Sequence, residues 1–174
     1  AGSGKTYTVA TITTIADRLE LRVTLAAPTG KAAKRIEELV NHPASTIHRL
    51  LGYDGSAYAK NEFDPIDTDI LIADESSMID LPLAWRLFQA IDLRRTAVVL
   101  VGDHNQLPPV GPGNLLRDLI RARTVPTTVL TDIIRQAGVL KENCVAVLDG
   151  QVRPTADAKV ANRRPWYVID KFTD

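Results

Sequence analysis

The chain has 174 residues, a length that fits one domain or one domain with part of a second. Its hydrophobic content of 45% is ordinary for a globular protein, and its formal net charge of zero excludes a global basic field. A single cysteine excludes a disulfide framework and a thiolate metal cluster, and no apolar run reaches transmembrane length. Any nucleic-acid binding must therefore come from local lysine and arginine side chains. With no secretory signal visible, we expect a cytoplasmic location.

The first six residues, with the letters AGSGKT, match the end of a Gly-x-x-x-x-Gly-Lys-[Ser/Thr] phosphate loop. In such a loop the backbone N–H groups of Gly2, Ser3 and Gly4 cradle phosphates. Lys5 supplies positive charge for the β- and γ-phosphates, and the Thr6 hydroxyl suits Mg²⁺. A chance match before a helix is the alternative. Since a phosphate loop normally follows a buried strand, we expect its first glycine and that strand to precede residue 1.

Strand-like and helix-like segments alternate after the loop. Two apolar runs, 69–73 and 96–101, are typical of strands buried on both faces. Thr29, Ser45 and Asp80 are predicted to cap helices. Strands alternating with helices predict an α/β fold whose parallel sheet is flanked by helices. The predicted helices are 5–19, 30–40, 46–51, 81–91, 114–121 and 139–148, and the predicted strands are 22–27, 69–73, 96–101, 127–131 and 166–169.

Asp74 and Glu75 come directly after the apolar run 69–73. Ligands of an open α/β sheet bind at the carboxyl ends of its strands, so a buried strand would deliver this pair to the ligand edge. There Asp74 can hold the Mg²⁺ shell, and Glu75 can orient and deprotonate an attacking water. A solvated acidic turn is the alternative, which the buried strand before the pair disfavours.

Two residues are candidates for contact with the γ-phosphate. Gln106 lies in the loop after the run 96–101, and its neutral amide can donate to a phosphate and accept from water. A Pro-rich structural turn explains this loop equally well. Arg135 can reach a γ-phosphate across a cleft, as an arginine finger does, although its spacing alone favours a surface arginine.

A second candidate phosphate-binding segment is Thr29-Gly30-Lys31, which opens a helix after a strand. The N–H groups at a helix N-terminus bind phosphate oxygens, and the first loop already accounts for a nucleotide. This second segment can therefore bind a nucleic-acid backbone. An ordinary turn between a strand and a helix is a serious competitor. His48 adds cationic potential, and the histidines lack metal-ligand spacing.

Taken together, these motifs resemble superfamily 1 DNA helicases, and most closely the RecD-like group. The Asp-Glu-x-Ser-Met run and the long Gly-Asp-x-x-Gln-Leu-Pro-Pro-Val-Gly run are specific in combination. The resemblance implies a RecA-like P-loop NTPase sheet that lacks its first strand. It also implies two domains, a RecA-like motor domain 1A over residues 1–134 and the beginning of a second RecA-like domain over residues 135–174. The matching segments are 2–6, 27–33, 45–51, 74–80, 102–113 and 134–136.

The same resemblance implies ATP and Mg²⁺ as cofactors and gives each matching residue a role. The phosphate loop would bind the nucleotide, and Asp74 would hold Mg²⁺ together with Thr6. Glu75 would activate water. Gln106 would couple the γ-phosphate to the DNA side, and Arg135 would stabilise transition-state charge.

Single-stranded DNA is the partner that the resemblance implies. Pro28, Thr29, Gly30 and Lys31 would touch the strand, and His48 would lie along the same face. Movement would run in the 5′ to 3′ direction. Subunits of a nuclease complex are further candidate partners, and no membrane partner is expected. Two alternatives stay open: a module that binds nucleic acid or a partner without catalysis, and a P-loop ATPase without a nucleic-acid role.

Overall fold

The computed structural model describes residues 4–130 and residue 151. The chain divides into one compact unit formed by residues 5–129 and another formed by residues 1–4 and 130–174. Nearly all described residues belong to the first unit. The predicted helix 139–148, the predicted strand 166–169 and Arg135 lie outside the described residues. Among the described residues, none of the helices has the length and apolar character needed to cross a bilayer.

The first unit alternates strands and helices along the chain. A 3₁₀ turn over Ser76–Met78 separates the third strand from the fourth helix. The helices are α1 Lys5–Arg18, α2 Gly30–Val40, α3 Ile47–Leu50, α4 Leu81–Gln89 and α5 Leu115–Ala122, and the strands are β1 Val23–Ala27, β2 Ala44–Thr46, β3 Ile70–Ala73 and β4 Ala97–Leu100.

The four strands form one sheet in the order β2-β1-β3-β4, and every neighbouring pair is parallel. Leu25 of β1 pairs with Ile72 of β3, which pairs in turn with Val99 of β4. The predicted parallel α/β sheet is confirmed. Because all strands run in one direction, the segments that follow them leave the sheet at a single edge, here called the carboxyl edge.

The two faces of the sheet carry separate apolar clusters, because successive residues of a strand point to opposite faces. On one face Leu25 and Ile72 belong to a cluster with Val9 of α1 and Ile36 of α2. Each of these four residues is at most 2% exposed. Helices therefore cover both faces, as a buried parallel sheet requires. The cluster on the opposite face includes Ala26, Leu71 and Ala73 of the strands, Ile47 of α3 and Leu87 of α4.

Side-chain caps fix the starts of the helices that border the carboxyl edge. Thr29 accepts a hydrogen bond from the Ala32 N–H at 3.2 Å, and Asp80 accepts one from the Leu83 N–H at 2.9 Å. Asn41, with φ 57°, ends α2 in the left-handed conformation. Each cap satisfies a backbone group that the helix itself leaves without a partner. The predicted caps at Thr29 and Asp80 are confirmed.

The predicted helix start at Ser45 is wrong. Residues Ala44–Thr46 instead form β2, which pairs in parallel with β1 and brings Thr46 opposite Ala27. Thr46 is therefore the residue that caps α3, and it accepts a hydrogen bond from the Arg49 N–H at 3.1 Å. A three-residue strand has no periodicity to read, and only the neighbouring strand makes it one.

Two strand predictions also need correction. The run 96–101 is not buried on both faces: β4 is the last strand of the described sheet, Ala97 is exposed and the other three residues of the strand are only partly covered. Residues 127–130 of the predicted strand 127–131 have no regular secondary structure. Among the described residues, no neighbouring strand offers their β-branched side chains a surface on which to pack, and Val129 is 59% exposed.

An ion pair ties the amino ends of β1 and β3 together, at the end of the sheet opposite the carboxyl edge. The Arg22 backbone N–H donates to Asp69 at 2.8 Å, and its guanidinium donates to both oxygens of the same carboxylate at 3.1 Å. The guanidinium also pairs with Asp67. The hydrogen bonds from the Arg22 side chain and backbone lower the pKa of Asp69 from its usual 3.8 to about 2.

Replacing Asp69 with asparagine is expected to destabilise the protein at neutral pH and to remove part of its acid sensitivity. Because the folded state holds the pKa of Asp69 below its unfolded value, this stabilisation is present above pH 3.8 and is lost as the pH falls towards about 2. The stability difference between the wild type and D69N should shrink over that window, as chemical denaturation at stepped pH would measure. D17N, at an exposed position on α1, is the control. Parallel pH profiles for the wild type and D69N would contradict the prediction.

Candidate nucleotide and DNA site

The segment after β3 is held from both sides at the carboxyl edge. The Asp74 N–H donates to the Ala26 carbonyl at 2.9 Å, and the Ser76 N–H donates to the Val101 carbonyl at 2.8 Å. These two bonds continue the hydrogen bonding to both neighbouring strands beyond Ala73, the last residue of β3. The backbone between them, which carries Asp74 and Glu75, is thereby fixed at the centre of the edge.

Glu75 combines a left-handed backbone with a buried carboxylate oxygen. Its backbone is left-handed, with φ 50° and ψ 39°, a conformation that costs energy for a residue other than glycine. Its Oε2 atom is buried and has no hydrogen-bond partner among the described residues. A buried carboxylate oxygen normally has a partner, so this atom is suited to accept a proton or a hydrogen bond from a bound molecule. The buried Ser77 hydroxyl also has no hydrogen-bond partner among the described residues, and no sequence pattern singles it out.

Lys5, the lysine of the phosphate-loop motif, lies close to acidic side chains of the carboxyl edge. Its Nζ atom lies 3.9 Å from a carboxylate oxygen of Asp103, which follows β4. Burial raises the pKa of Asp74, against the opposing effects of a backbone hydrogen bond from Glu75 and of the positive charges of Lys5 and Arg35. The structure therefore brings three predicted elements together: the loop lysine, the acid after β3 and the segment after β4.

Thr6 lies in the first turn of α1, and Gly4 before it has φ 90°, a conformation that favours glycine. Gly2 and Ser3 lie outside the described residues. Within residues 4–130, no group of three or more His, Cys, Asp or Glu side chains is placed to hold a metal. Mg²⁺ typically takes one or two carboxylates and completes its shell with substrate phosphates and water. The Thr6 hydroxyl and the Asp74 carboxylate are oxygen donors of the kind that such a shell uses.

The loop after β4 is strapped to the start of α4. The Leu81 N–H donates to the Pro112 carbonyl at 2.9 Å. A Cβ atom at Gly111 would fall 2.0 Å from Asp80, and one at Gly113 would fall 2.3 Å from Leu81. Only glycines permit this approach. We call residues 107–113 the strap. The proline-rich sequence is consistent with a structural turn here, and the spacing of its glycines could have indicated the attachment to α4.

Gln106 lies just before the strap on an exposed turn. Its N–H donates to the Asp103 carbonyl at 3.0 Å, so it stands one turn beyond the acid that contacts Lys5. The strap fixes the far end of the same loop to α4. Gln106 therefore lies between two fixed points of this loop, the turn at Asp103 and the attachment to α4, and both points connect to the carboxyl edge. Its partner in the sequence analysis, Arg135, lies outside the described residues.

The predicted DNA-binding residues lie at the same edge, beside the outer strand. Because Ala27 pairs with Thr46, Thr29 and His48 each stand two residues beyond paired positions on neighbouring strands. A Cβ atom added at Gly30 would meet nothing within 4 Å. The start of α2 is therefore open to an incoming group. Pro28 and Lys31 flank this opening, Pro28 partly buried and Lys31 exposed.

The chain is similar in sequence to one protein family and to several named proteins. The profile of a family described as AAA domain matches residues 1–112. Over 136 residues the chain is 44% identical to the ATP-dependent RecD2 DNA helicase of Deinococcus radiodurans, in a match that covers 78% of this chain and 19% of that protein. Over 151 residues it is 35% identical to the RecBCD enzyme subunit RecD of Haemophilus influenzae, in a match that covers 72% of this chain and 23% of that protein. The chain thus spans about a fifth of the length of these relatives.

Two solved helicase structures share the fold. Pif1 helicase from Candida albicans superposes with a TM-score of 0.64 at 27% sequence identity, over 88% of this chain and 40% of that one. Bacteroides sp. Pif1 in complex with ADP-AlF4 superposes with a TM-score of 0.51 at 26% identity, over 88% of this chain and 41% of that one.

A parallel sheet with a phosphate-loop helix and an acidic pair at its carboxyl edge defines the class of P-loop ATPase folds. The chain belongs to the AAA domain family. Over most of its own length it is similar to RecD-type and Pif1 helicases.

Proposed function

We propose that this chain is the nucleotide-binding core of a motor that couples ATP hydrolysis to movement along single-stranded DNA. The observation that carries the proposal is the Oε2 atom of Glu75, which is buried, has no hydrogen-bond partner within residues 4–130 and belongs to a residue with a strained backbone. It lies next to Asp74, where the positive charge of Lys5 opposes the rise in pKa that burial causes. A proton acceptor beside a lysine and a carboxylate at one sheet edge is the arrangement that phosphoryl transfer to water requires.

Each residue then has a task in the hydrolysis of ATP. The loop glycines and Lys5 bind the phosphates, and Glu75 accepts a proton from the attacking water. Mg²⁺, held by Thr6 and Asp74, would neutralise charge on the phosphate oxygens. Gln106 reports the γ-phosphate to the strap, and Arg135 stabilises charge in the transition state.

The DNA side of the proposal rests on the neighbouring strands β1 and β2. Pro28, Thr29, Gly30, Lys31 and His48 would contact the single strand, with phosphates at the open start of α2. The Deinococcus radiodurans relative is by name an ATP-dependent DNA helicase, which supports DNA as the partner. We further propose 5′ to 3′ movement, a cytoplasmic location and the motor-domain boundary between residues 134 and 135. The Haemophilus influenzae relative is by name a subunit of the RecBCD enzyme, so association with nuclease subunits is part of the proposal.

The ATPase rate of the full-length protein is expected to rise about tenfold or more when single-stranded DNA is added, because the DNA residues and Gln106 share the carboxyl edge with the nucleotide residues. Steady-state phosphate release with and without an oligonucleotide measures this rise. K31A, which removes an exposed cation from the start of α2, should raise the DNA concentration for half-maximal stimulation. An ATPase rate that does not change with DNA would contradict the proposal and favour a P-loop ATPase without a nucleic-acid role. No ATPase activity at all would favour a module that binds without catalysis.

A further inference from the structure

A stack of rings stands just beyond α3. Tyr53 and Tyr58 face each other across an isolated antiparallel bridge, with ring centroids 4.6 Å apart. The His48 ring lies 5.5 Å from Tyr53 and 6.2 Å from Tyr58. The guanidinium of Arg86, on α4, lies 5.6 Å from the centre of the Tyr58 ring. We call these four residues the ring cluster. All of these separations fall in the range in which rings and cations attract.

The hairpin that holds the two tyrosines is internally fixed. Gly52, with φ 64°, closes against Ala59, and a Cβ at Gly52 would lie only 2.9 Å from the Ala59 Cβ. At the tip, the Asp54 carboxylate accepts hydrogen bonds from the backbone N–H groups of Ser56 and Ala57, both at 2.8 Å. A turn with its own side-chain hydrogen bonds holds the rings in place before anything binds.

Stabilisation of the hairpin explains why Tyr53 and Tyr58 pair, but it does not explain why Tyr53 stays exposed. Arg86 covers Tyr58 from the α4 side, whereas Tyr53 remains 41% exposed. Its hydroxyl donates to the Gly55 carbonyl at 2.8 Å, which orients the ring. Aromatic residues make up only 5% of the chain, so a cluster of them on one surface calls for an explanation. An oriented, exposed ring backed by a second ring and a cation is the kind of surface on which nucleobases stack.

The position of the cluster matches the proposed path of the DNA. His48 belongs both to the cluster and to the residues that follow β2 at the carboxyl edge, next to the segment that follows β1. A strand with its phosphates at the start of α2 would therefore pass beside Tyr53. We propose that Tyr53, backed by Tyr58, is a stacking platform for a nucleobase of the bound single-stranded DNA. This inference rests on the proposed function.

The test compares two probes on the full-length protein: an oligothymidine of about 12 nucleotides and an oligomer of equal length and charge that lacks its bases. Replacing Tyr53 with leucine should weaken oligothymidine binding about tenfold, the usual effect of losing one stacked base. Binding of the abasic oligomer should not change, because its phosphate contacts are intact. Y53F should bind oligothymidine much more tightly than Y53L does, since the ring remains and only the hydrogen bond that orients it is lost.

Phe63 supplies a matched control. It is 90% exposed, lies like Tyr53 in the segment between α3 and β3, and takes part in no ring pair among the described residues. F63L should bind both probes as the wild type does. Equal weakening of both probes by Y53L would show that the ring only supports the hairpin and would overturn the inference, as would unchanged oligothymidine binding. A wild-type protein that binds neither probe would instead overturn the proposed function.

Discussion

Replacing Glu75 with glutamine is expected to lower the DNA-stimulated ATPase rate of the full-length protein about a thousandfold, within the usual range for a general base. The amide has the shape of the carboxylate but cannot accept the proton of the attacking water. Nucleotide affinity should stay close to that of the wild type, because the phosphate contacts come from the loop and Lys5. Single-turnover hydrolysis and equilibrium nucleotide binding, measured on the same preparation, separate the two quantities.

The same substitution should not lower the free energy of unfolding. The Oε2 atom of Glu75 is buried without a partner among the described residues, so the folded state bears the cost of removing a polar group from water. A neutral amide reduces that cost, and the left-handed backbone is no worse for glutamine than for glutamate. E38Q, on the exposed side of α2, is the matched control and should change neither activity nor stability. Undiminished turnover in E75Q would refute the assignment of Glu75 as the general base. Loss of turnover together with loss of folding would refute a purely chemical role for its carboxylate.

Sequence reasoning found the carboxyl edge because the features that define it are local. An apolar run followed by Asp74 and Glu75 can be read without knowing what lies beside it, and so can the caps at Thr29 and Asp80. The parallel sheet then places such strand ends at one edge. The left-handed backbone of Glu75 and the burial of its Oε2 could not be read in this way. They arise from hydrogen bonds that the adjacent residues make to β1 and to Val101, which are distant in sequence.

The errors have the same origin. Three-residue β2 exists because β1 offers it a partner, and the predicted strand 127–131 has no such partner over its described residues. The ring cluster was missed because the segment between α3 and β3 has no clear periodicity of apolar residues. Nothing in the sequence therefore indicates that Tyr53 would fold back onto Tyr58. Its fourth member, Arg86, comes from another helix altogether. Side chains that meet through chain reversal or across elements require the structure.

Replacing Gly113 with alanine is expected to cost about 2–4 kcal/mol of unfolding free energy, from backbone strain and overpacking together. Gly113 has φ 89°, where a side chain is strained, and an added Cβ would lie 2.3 Å from Cγ and 3.2 Å from Cβ of Leu81. The Leu81 side chain can rotate only partly out of the way, because its Cβ cannot move without α4. Relief therefore requires the strap to leave α4 and the Leu81 N–H to lose its bond to Pro112. Urea denaturation measures the loss.

Two controls separate the causes of that loss. Gly55 has φ 105°, but an added Cβ there meets nothing within 4 Å, so G55A carries the strain without the clash. V110A removes a fully exposed side chain from the strap itself and should be neutral. The stability loss should be larger for G113A than for G55A, and the difference measures the contact with α4. If the strap transmits the state of Gln106, G113A should also reduce stimulation by DNA more than it reduces the DNA-free ATPase rate. Equal losses in G113A and G55A would mean that the contact between the strap and α4 contributes nothing to stability.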